Sequence, residues 1–178
     1  MKKIATIAVL AVAIAIGCKS GGKQNSADKG TEMTIAFSPK SGSNAAGTAT
    51  FTQSATGVVF TAKLSGLEPG VHAIHIHEKS DCSAPDASSA GGHWNPTFQK
   101  HGKWGSPEHH RGDIGNFPAD QDGNGTITMS TSQWCIGCGD PKKDILGKSV
   151  IVHTNPDDYT TQPTGNAGGR VACSAIIK

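Results

Sequence analysis

Short segments of alternating apolar and polar residues recur along the chain from residue 32 onward, separated by turn residues. The clearest is GVVFTAKL, residues 57–64, in which Val58, Phe60, Ala62 and Leu64 would share one face of a strand. No stretch of useful length has the 3.6-residue period of an amphipathic helix. The pattern predicts eight strands, at residues 33–37, 47–53, 57–64, 71–77, 113–117, 126–131, 148–153 and 171–177.

Eight short strands with long connections predict an all-β fold, an eight-stranded antiparallel Greek-key sandwich or barrel of the immunoglobulin-like kind. The sequence DGNG at residues 122–125 is a strong hairpin signal. Between residues 81 and 116, Gly, Pro, Ser and His dominate and no period persists. So long a loop is uncommon in a compact domain unless something other than a core holds it, and we expect a metal and a disulfide to do so.

The first residues, MKKIATIAVLAVAIAIGC, combine two lysines, an apolar run too short to span a bilayer comfortably, and a small residue before Cys18. This order predicts a signal peptide at residues 1–17. The end of the run resembles a bacterial lipoprotein cleavage box with Cys18 as the lipidated residue, although Ala15 stands where leucine is usual, so ordinary cleavage nearby is the alternative. We expect a flexible tether over 18–31, a folded domain over 32–178, and an exported protein of the cell envelope, either membrane-anchored through lipid or periplasmic.

Charge gives no sign of a nucleic-acid partner. The chain has 16 Lys plus Arg and 14 Asp plus Glu, and removal of Lys2 and Lys3 with the signal leaves 14 of each, a formal net charge of 0. No basic tract is present. In an oxidising compartment the four remaining cysteines are disulfide candidates with three possible pairings: Cys82, Cys135, Cys138 and Cys173.

The eight histidines indicate metal binding, because seven of them fall between the start of the strand at residue 71 and the hairpin at 122. In HAIHIHE, residues 72–78, strand alternation would place His75 and His77 on one face and His72 on the other. Further on, three imidazoles and one carboxylate could complete a closed, structural tetrahedral zinc site: His93, His101, His110 and Asp113.

Several motifs then match one family in order along residues 32–178. They are GVHAIHIHE, the GGHWNP around His93, the HG at 101–102, HRGDIGN at 110–116, SVIVH ending at His153, and GNAGGRVAC at 165–173. Together they resemble copper/zinc superoxide dismutase. The resemblance implies an enzyme that converts superoxide to O2 and H2O2 by cycling between Cu(II) and Cu(I), here protecting the cell envelope.

The resemblance also assigns ligands. It implies that copper is bound by His75, His77, His93 and His153. It implies that zinc is bound by His93, His101, His110 and Asp113. His93 would bridge the two ions and act in catalysis by leaving copper and taking a proton.

Residues around the metals follow from the same resemblance. Asp157 would hydrogen-bond His75 on the copper side and His101 on the zinc side, and so fix the orientation of both rings. Arg170 would be the catalytic anion guide beside copper. Cys82 and Cys173 would form a disulfide, and His72 would brace the backbone. His109 lacks the family spacing to Asp113, and we expect it to be solvated.

One segment departs from the family pattern, and the oligomeric state and the class of function have alternatives. The WCIGCG segment at 134–139 predicts a local disulfide between Cys135 and Cys138, with a functional thiol pair that captures copper as the alternative. A homodimer is possible, but its geometry cannot be copied from eukaryotic relatives. Besides the enzyme, the pattern allows a non-catalytic copper binder or, more weakly, a structural module that binds zinc alone.

Overall fold

The computed structural model describes residues 30–178. The predicted signal sequence, Cys18 and most of the predicted tether lie outside the described residues. Within 30–178, no helix is long and apolar enough to cross a membrane. The regular elements are strands β1 (Glu32–Pro39), β2 (Ala46–Ser54), β3 (Gly57–Ser65), β4 (Gly70–His77), β5 (Gly115–Ala119), β6 (Gly125–Thr131), β7 (Ser149–His153) and β8 (Arg170–Ala175), with a 3₁₀ turn at Ser88–Ala90 between β4 and β5.

The eight strands close into an antiparallel barrel. Their order around it is β1-β2-β3-β6-β5-β4-β7-β8, and β8 pairs with β1 to complete the ring. Two connections, from β3 to β4 and from β6 to β7, join strands that are not neighbours. This is a Greek-key arrangement, so the predicted fold class is confirmed.

The barrel interior is apolar because alternate residues of each strand point inward. Val58, Phe60 and Leu64 of β3 are buried in it, as their spacing predicts. The ring centroids of Phe51 and Phe60 lie 5.0 Å apart, and Trp134 packs at 6.4 Å from Phe51 and 6.2 Å from Phe60. These aromatic contacts fill one end of the core.

Strand β4 is buried on both faces over residues 72–77. Ile74 and Ile76 belong to the barrel core, whereas His75 and His77 face the other way and are still 0% exposed. The β4–β5 loop, residues 78–114, covers that outer face. It is anchored there by hydrogen bonds from the Trp94 amide to Ile76 O (2.8 Å) and from the Ile76 amide to Gly112 O (2.9 Å).

Two disulfides hold the connections. Cys82 in the β4–β5 loop is bonded to Cys173 in β8, across a sequence separation of 91 residues. Cys135 and Cys138 are bonded within the β6–β7 loop. By the chain-entropy model the long-range bridge contributes about 4 kcal/mol, so it ties the irregular loop firmly to the barrel.

The start of β5 differs from the sequence expectation. The strand begins at Gly115 rather than at residue 113. Asp113 is held in a turn instead, since its amide donates to His110 O at 3.2 Å and its carboxylate accepts the His110 amide at 2.7 Å. A local apolar alternation predicted a strand there, but the carboxylate bonds of Asp113 determine the backbone path.

Candidate metal centre

Four histidines converge on the outer surface of the barrel under the β4–β5 loop. His75 and His77 lie on β4, His153 ends β7, and His93 lies in the loop, bridged to His77 by backbone pairing. All four are buried, and one ring nitrogen of each lies within 4.8 Å of the others. His77 Nε2 is 3.4 Å from His153 Nε2. We call these residues the four-histidine set.

A second set contains three histidines and one carboxylate, all from the loop: His93, His101, His110 and Asp113. Asp113 lies at its middle. Its Oδ1 is 2.9 Å from His93 Nδ1 and 3.3 Å from His110 Nδ1, and its Oδ2 is 3.1 Å from His101 Nδ1. All four residues are buried. We call them the mixed set.

His93 belongs to both sets and joins them. Its Nδ1 faces Asp113 in the mixed set, and its ring centroid lies 4.0 Å from that of His75 in the four-histidine set. The opposite nitrogen, Nε2, is buried and has no hydrogen-bond partner. One imidazole therefore presents a nitrogen to each set.

The unpartnered nitrogens show that the residues fit metal ions. His75 Nδ1, His93 Nε2, His101 Nδ1 and His110 Nδ1 are all buried without a hydrogen bond. Buried polar atoms rarely remain unpaired, because each costs free energy of desolvation. A cation in each set would give every one of them a partner. Imidazole nitrogens suit copper and zinc, and an added carboxylate is compatible with zinc.

The ring nitrogens that face away from the sets are hydrogen-bonded. Asp157 joins the two sets from behind, since its carboxylate oxygens lie 2.9 Å from His75 Nε2 and 2.9 Å from His101 Nε2. His77 Nδ1 lies 2.9 Å from Gly91 O. Such outer contacts fix ring orientation and tautomer, which leaves the inward nitrogens free to bind metal.

Glycine is required beside this bridge. Gly165 has a φ of 68°, and a Cβ there would overlap the Asp157 carboxylate and lie 2.6 Å from His101 Nε2. The backbone at residue 165 can therefore approach Asp157 and His101 this closely only because glycine has no side chain.

The two sets differ in electrostatics. Burial lowers the pKa of His75, His77 and His153 below the usual 6.5, and burial next to His75 lowers the pKa of His93 to about 3. Neutral rings are the form that binds metal.

In the mixed set the carboxylates dominate. Burial alone would lower the pKa of His101, but the hydrogen bonds to Asp113 and Asp157 raise it to about 9. Burial would raise the pKa of both carboxyl groups, yet the histidine hydrogen bonds hold the pKa of Asp113 and of Asp157 well below their usual range. Two ionised carboxylates therefore face His101, and they would favour a divalent cation in place of the proton on that ring.

Arg170 lies at the edge of the four-histidine set. Its guanidinium donates to Ala87 O at 2.6 Å and to Gly91 O at 2.8 Å, and Gly91 O is also the partner of His77 Nδ1. The side chain is half-buried. These carbonyls hold the guanidinium while its remaining N–H groups stay available to an anion.

Two other histidines lie apart from both sets. Both ring nitrogens of His72 are 2.8 Å from carbonyl oxygens, of His153 and of Glu68, so the ring links two backbone segments. His109, expected to be solvated, instead packs half-buried at 4.9 Å from the Trp104 ring, with Nδ1 2.8 Å from Ser106 O. That expectation was wrong because the neighbouring tryptophan offers apolar cover.

Two positioning residues were missed in the sequence. The Asn116 side chain accepts from the Asp157 amide and donates to Asp157 O, both at 2.8 Å. The Gln162 side chain does the same for His101, with both contacts at 2.9 Å. Asn116 closes the HRGDIGN motif and Gln162 precedes a proline, but neither position shows which distant backbone it binds.

Comparison with known proteins identifies the family. The sequence profile of copper/zinc superoxide dismutase (SODC) matches residues 45–176. The chain belongs to the copper/zinc superoxide dismutase family. It is 40% identical over 135 residues to "Superoxide dismutase [Cu-Zn]" of Caulobacter vibrioides, which is 74% of this chain and 78% of that protein.

Solved structures agree with the family fold. A SOD-like protein from Bacillus subtilis superposes with a TM-score of 0.71 at 32% identity, covering 81% of this chain and 97% of that one. A double mutant of a SOD-like protein from the same organism gives 0.72 at 34% identity, covering 82% and 97%. As a member of the copper/zinc superoxide dismutase family, the chain is a superoxide dismutase whose cofactors are copper and zinc.

Proposed function

We propose that copper binds the four-histidine set and zinc binds the mixed set, with His93 between the two ions. The observation that carries this proposal is the pair of buried donor sets that share His93. Three imidazoles and one carboxylate complete a closed tetrahedral site, as structural zinc requires. The set made only of imidazoles has no carboxylate and lies beside Arg170, which suits a redox metal that meets an anionic substrate.

The overall reaction converts two superoxide ions and two protons to O2 and H2O2. Bound copper would supply the one-electron chemistry, since it alternates between Cu(II) and Cu(I), whereas zinc keeps one oxidation state. Arg170 binds the superoxide anion with the N–H groups that its two carbonyl contacts leave free. His93 can hold a proton at Nε2, while Nδ1 remains with the mixed set, and pass that proton to the departing peroxide.

Residues behind the ligands keep this arrangement in place. Asp157 holds the rings of His75 and His101 in one orientation, and its link between the sets keeps them at a fixed separation. Burial keeps His77 and His153 neutral near pH 7, so their inward nitrogens are available to metal without prior loss of a proton.

A superoxide decay measurement tests the function. The full chain, loaded with copper and zinc, should accelerate superoxide decay, and His153→Ala should reduce the rate to that of the metal-free protein. The alternative, a non-catalytic copper binder, predicts that both proteins bind copper but leave the decay unchanged. The presence of Arg170 next to the four-histidine set favours the enzymatic function, since a protein that only stores metal needs no side chain to guide an anion.

We also propose that the enzyme acts in the cell envelope, where a lipid on Cys18 would anchor it and where it would remove superoxide. The support is the order of charged, apolar and small residues before Cys18 in the sequence. In a bacterial host, Cys18→Ser should move the protein from the membrane fraction to the soluble fraction. An unchanged distribution would reject the lipid anchor. A homodimer stays a prediction.

A further inference from the structure

The β6–β7 loop, residues 132–148, carries a cysteine pair that the dismutase chemistry does not use. Cys135 and Cys138 are joined by a disulfide, with their Cα atoms 6.0 Å apart. Cys138 is exposed, whereas Cys135 is only 7% exposed. Cys138 is thus the end of this bridge that is more accessible to a reductant in solvent.

The backbone of this loop is held without help from the sulfur atoms. The Asp144 carboxylate accepts amide N–H groups from Gly137 and Gly139 at 2.9 Å and from Leu146 at 3.1 Å. The Cys135 amide donates to Lys143 O at 2.9 Å, and Cys135 O accepts from Ile145 at 3.1 Å. Opening the disulfide would therefore leave both Cα atoms near their present positions.

The two disulfides of the protein differ in access. Cys173 is 1% exposed and its partner Cys82 is half-buried, so this bridge is less open to an attacking thiolate than one that ends in the exposed Cys138. The Cys82–Cys173 bridge spans 91 residues, while the Cys135–Cys138 bridge spans 3. Since a short loop loses little chain entropy on closure, the short bridge stabilises the fold less than the long one. The exposed bridge is the one that a reductant should open first.

Cationic side chains lie in or beside the loop that carries the pair. The Lys178 ammonium lies 3.2 Å from the place that a Cβ would take on Gly137, between the two cysteines. Lys142 and Lys143 are exposed in the same loop. The nearby carboxylate of Asp144 is engaged by its three amide donors. Positive charge near a thiol favours the thiolate, which is both the nucleophile and the metal ligand.

We propose that Cys135 and Cys138 form a second, soft-metal site that binds one Cu(I) ion when the pair is reduced. An external dithiol would open the bridge, being oxidised to its own disulfide while Cys135 and Cys138 gain two electrons and two protons. Binding of Cu(I) would then release both thiol protons and form two copper–sulfur bonds. This site does not depend on the ligand assignment of the histidine centre.

The number of donors selects the metal. Thiolates prefer soft ions such as Cu(I), which is satisfied by few ligands, whereas zinc in proteins takes four. Within residues 30–178, the two clusters of three or more potential ligands contain neither cysteine. The pair therefore offers two sulfurs without the further donors that a zinc site would need.

Graded reduction tests the first step. The full chain, loaded with copper and zinc, would be treated without oxygen with increasing dithiothreitol, then alkylated and mapped by mass spectrometry. We expect Cys135 and Cys138 to become alkylated at a dithiol concentration at least tenfold lower than Cys82 and Cys173. Opening of the Cys82–Cys173 bridge at the same or a lower concentration would overturn the proposal.

A Cu(I) titration tests the second step. After mild reduction and removal of the dithiol, the protein would compete for Cu(I) with a coloured chelator, beside the double variant Cys135→Ser/Cys138→Ser. We expect the reduced protein to bind one Cu(I) more than the variant, with a near-ultraviolet copper–thiolate absorption that the variant lacks. Cys18 and the histidine centre are common to both proteins and cancel. Equal uptake would reject the site, and unchanged superoxide decay shows that the variant is folded.

Discussion

His75, His77 and His153 of the four-histidine set are carried by strands β4 and β7, whereas His101, His110 and Asp113 of the mixed set lie in the β4–β5 loop. The strand ligands are held by the backbone pairing of β4 with β7, in which His75 lies opposite Ile151 and His77 opposite Ser149. The loop ligands have no such pairing. Their positions depend on carboxylate bonds to Asp113 and Asp157, on the Cys82–Cys173 bridge and, when present, on the metal.

The sets also differ in charge. Buried neutral rings form the first set, and two carboxylates of low pKa belong to or adjoin the second. Under the proposed assignment, the barrel would offer a preformed place for copper, and the loop site would use zinc to order the chain around it. His93 couples the two, so order in the loop should control the geometry on the copper side.

The largest effect should follow removal of a strand ligand. His77→Ala should reduce superoxide decay to the metal-free rate and remove copper, while zinc stays near one equivalent, because no residue of the mixed set contacts His77 except His93. Metal analysis together with the decay assay checks this. Loss of zinc along with copper would show that the sets are not separable.

His72→Ala on the same strand is the matched control. His72 contacts the backbone carbonyl oxygens of His153 and Glu68 but none of the ring nitrogens or carboxylates of the two sets, so copper should remain bound. Loss of these contacts with carbonyl oxygens should instead reduce the free energy of unfolding by about 1–3 kcal/mol, measured by urea denaturation. Loss of copper from this variant without destabilisation would contradict its structural role.

Removal of the central loop carboxylate should have the next largest effect. Asp113→Ala leaves the His110 and Gly102 amides without an acceptor and removes the negative charge between three histidines. We expect zinc loss and roughly 2–5 kcal/mol of lost stability. Hydrogen exchange should quicken in residues 78–114 and stay slow in β4 and β7. Uniform acceleration across the barrel would mean that the loop does not unfold separately.

In the metal-free protein, the histidines of the two sets should make the free energy of unfolding depend on pH in opposite ways. His75, His77, His93 and His153 have folded-state pKa values below the unfolded 6.5, so the unfolded chain takes up more protons as the pH falls through 6.5, and stability falls. His101 has the opposite sign. Its pKa is raised to about 9, so its contribution is present below 6.5 and is lost as the pH rises through about 9.

The metal-free protein should thus be most stable near pH 6.5, because the four neutral histidines lower its stability below that pH and the His101 contribution declines between about pH 6.5 and 9. Each histidine that stays neutral in the fold adds a slope of at most about 1.4 kcal/mol per pH unit on the acid side. Urea midpoints from pH 5 to 10 measure this, and His153→Gln should flatten the acid limb. A stability that does not change between pH 7 and 5 would contradict the buried neutral state.

Most of the fold followed from local pattern. Alternation in segments such as residues 57–64 predicted every strand, because a barrel strand needs one apolar face. The mixed set followed from motif spacing and the four-histidine set from the family resemblance, while strand parity alone separates His75 and His77 from His72. The start of β5 did not follow, since the bonds of Asp113 outweigh the alternation around it.

Contacts between distant loops could not be predicted. Gln162 binds His101 across 61 positions, and Asn116 binds Asp157 across 41. An amide side chain has no periodic signature, and its partner is a backbone group that every residue possesses. The packing of His109 on Trp104 was missed for a similar reason, because exposure depends on how the loop folds back.

The smallest effect should come from removing the Gln162 clamp, the pair of hydrogen bonds between the Gln162 side chain and the His101 backbone. Gln162→Leu removes the two 2.9 Å contacts with the His101 backbone but leaves every metal donor in place. Because each hydrogen bond contributes about 1 kcal/mol net, zinc affinity should fall by about tenfold, the low end for outer contacts. Copper affinity should be unchanged, since His101 is not in the four-histidine set. Competition with a zinc chelator measures this.

Gln99→Leu is the control, because Gln99 is also exposed and its side chain contacts only Thr97 O, at 3.4 Å. It should keep wild-type zinc affinity. If Gln162→Leu and Gln99→Leu lose zinc equally, the clamp does not position His101. If Gln162→Leu weakens copper as much as zinc, order in the mixed set reaches the strand ligands through His93, and the two sets act as one unit.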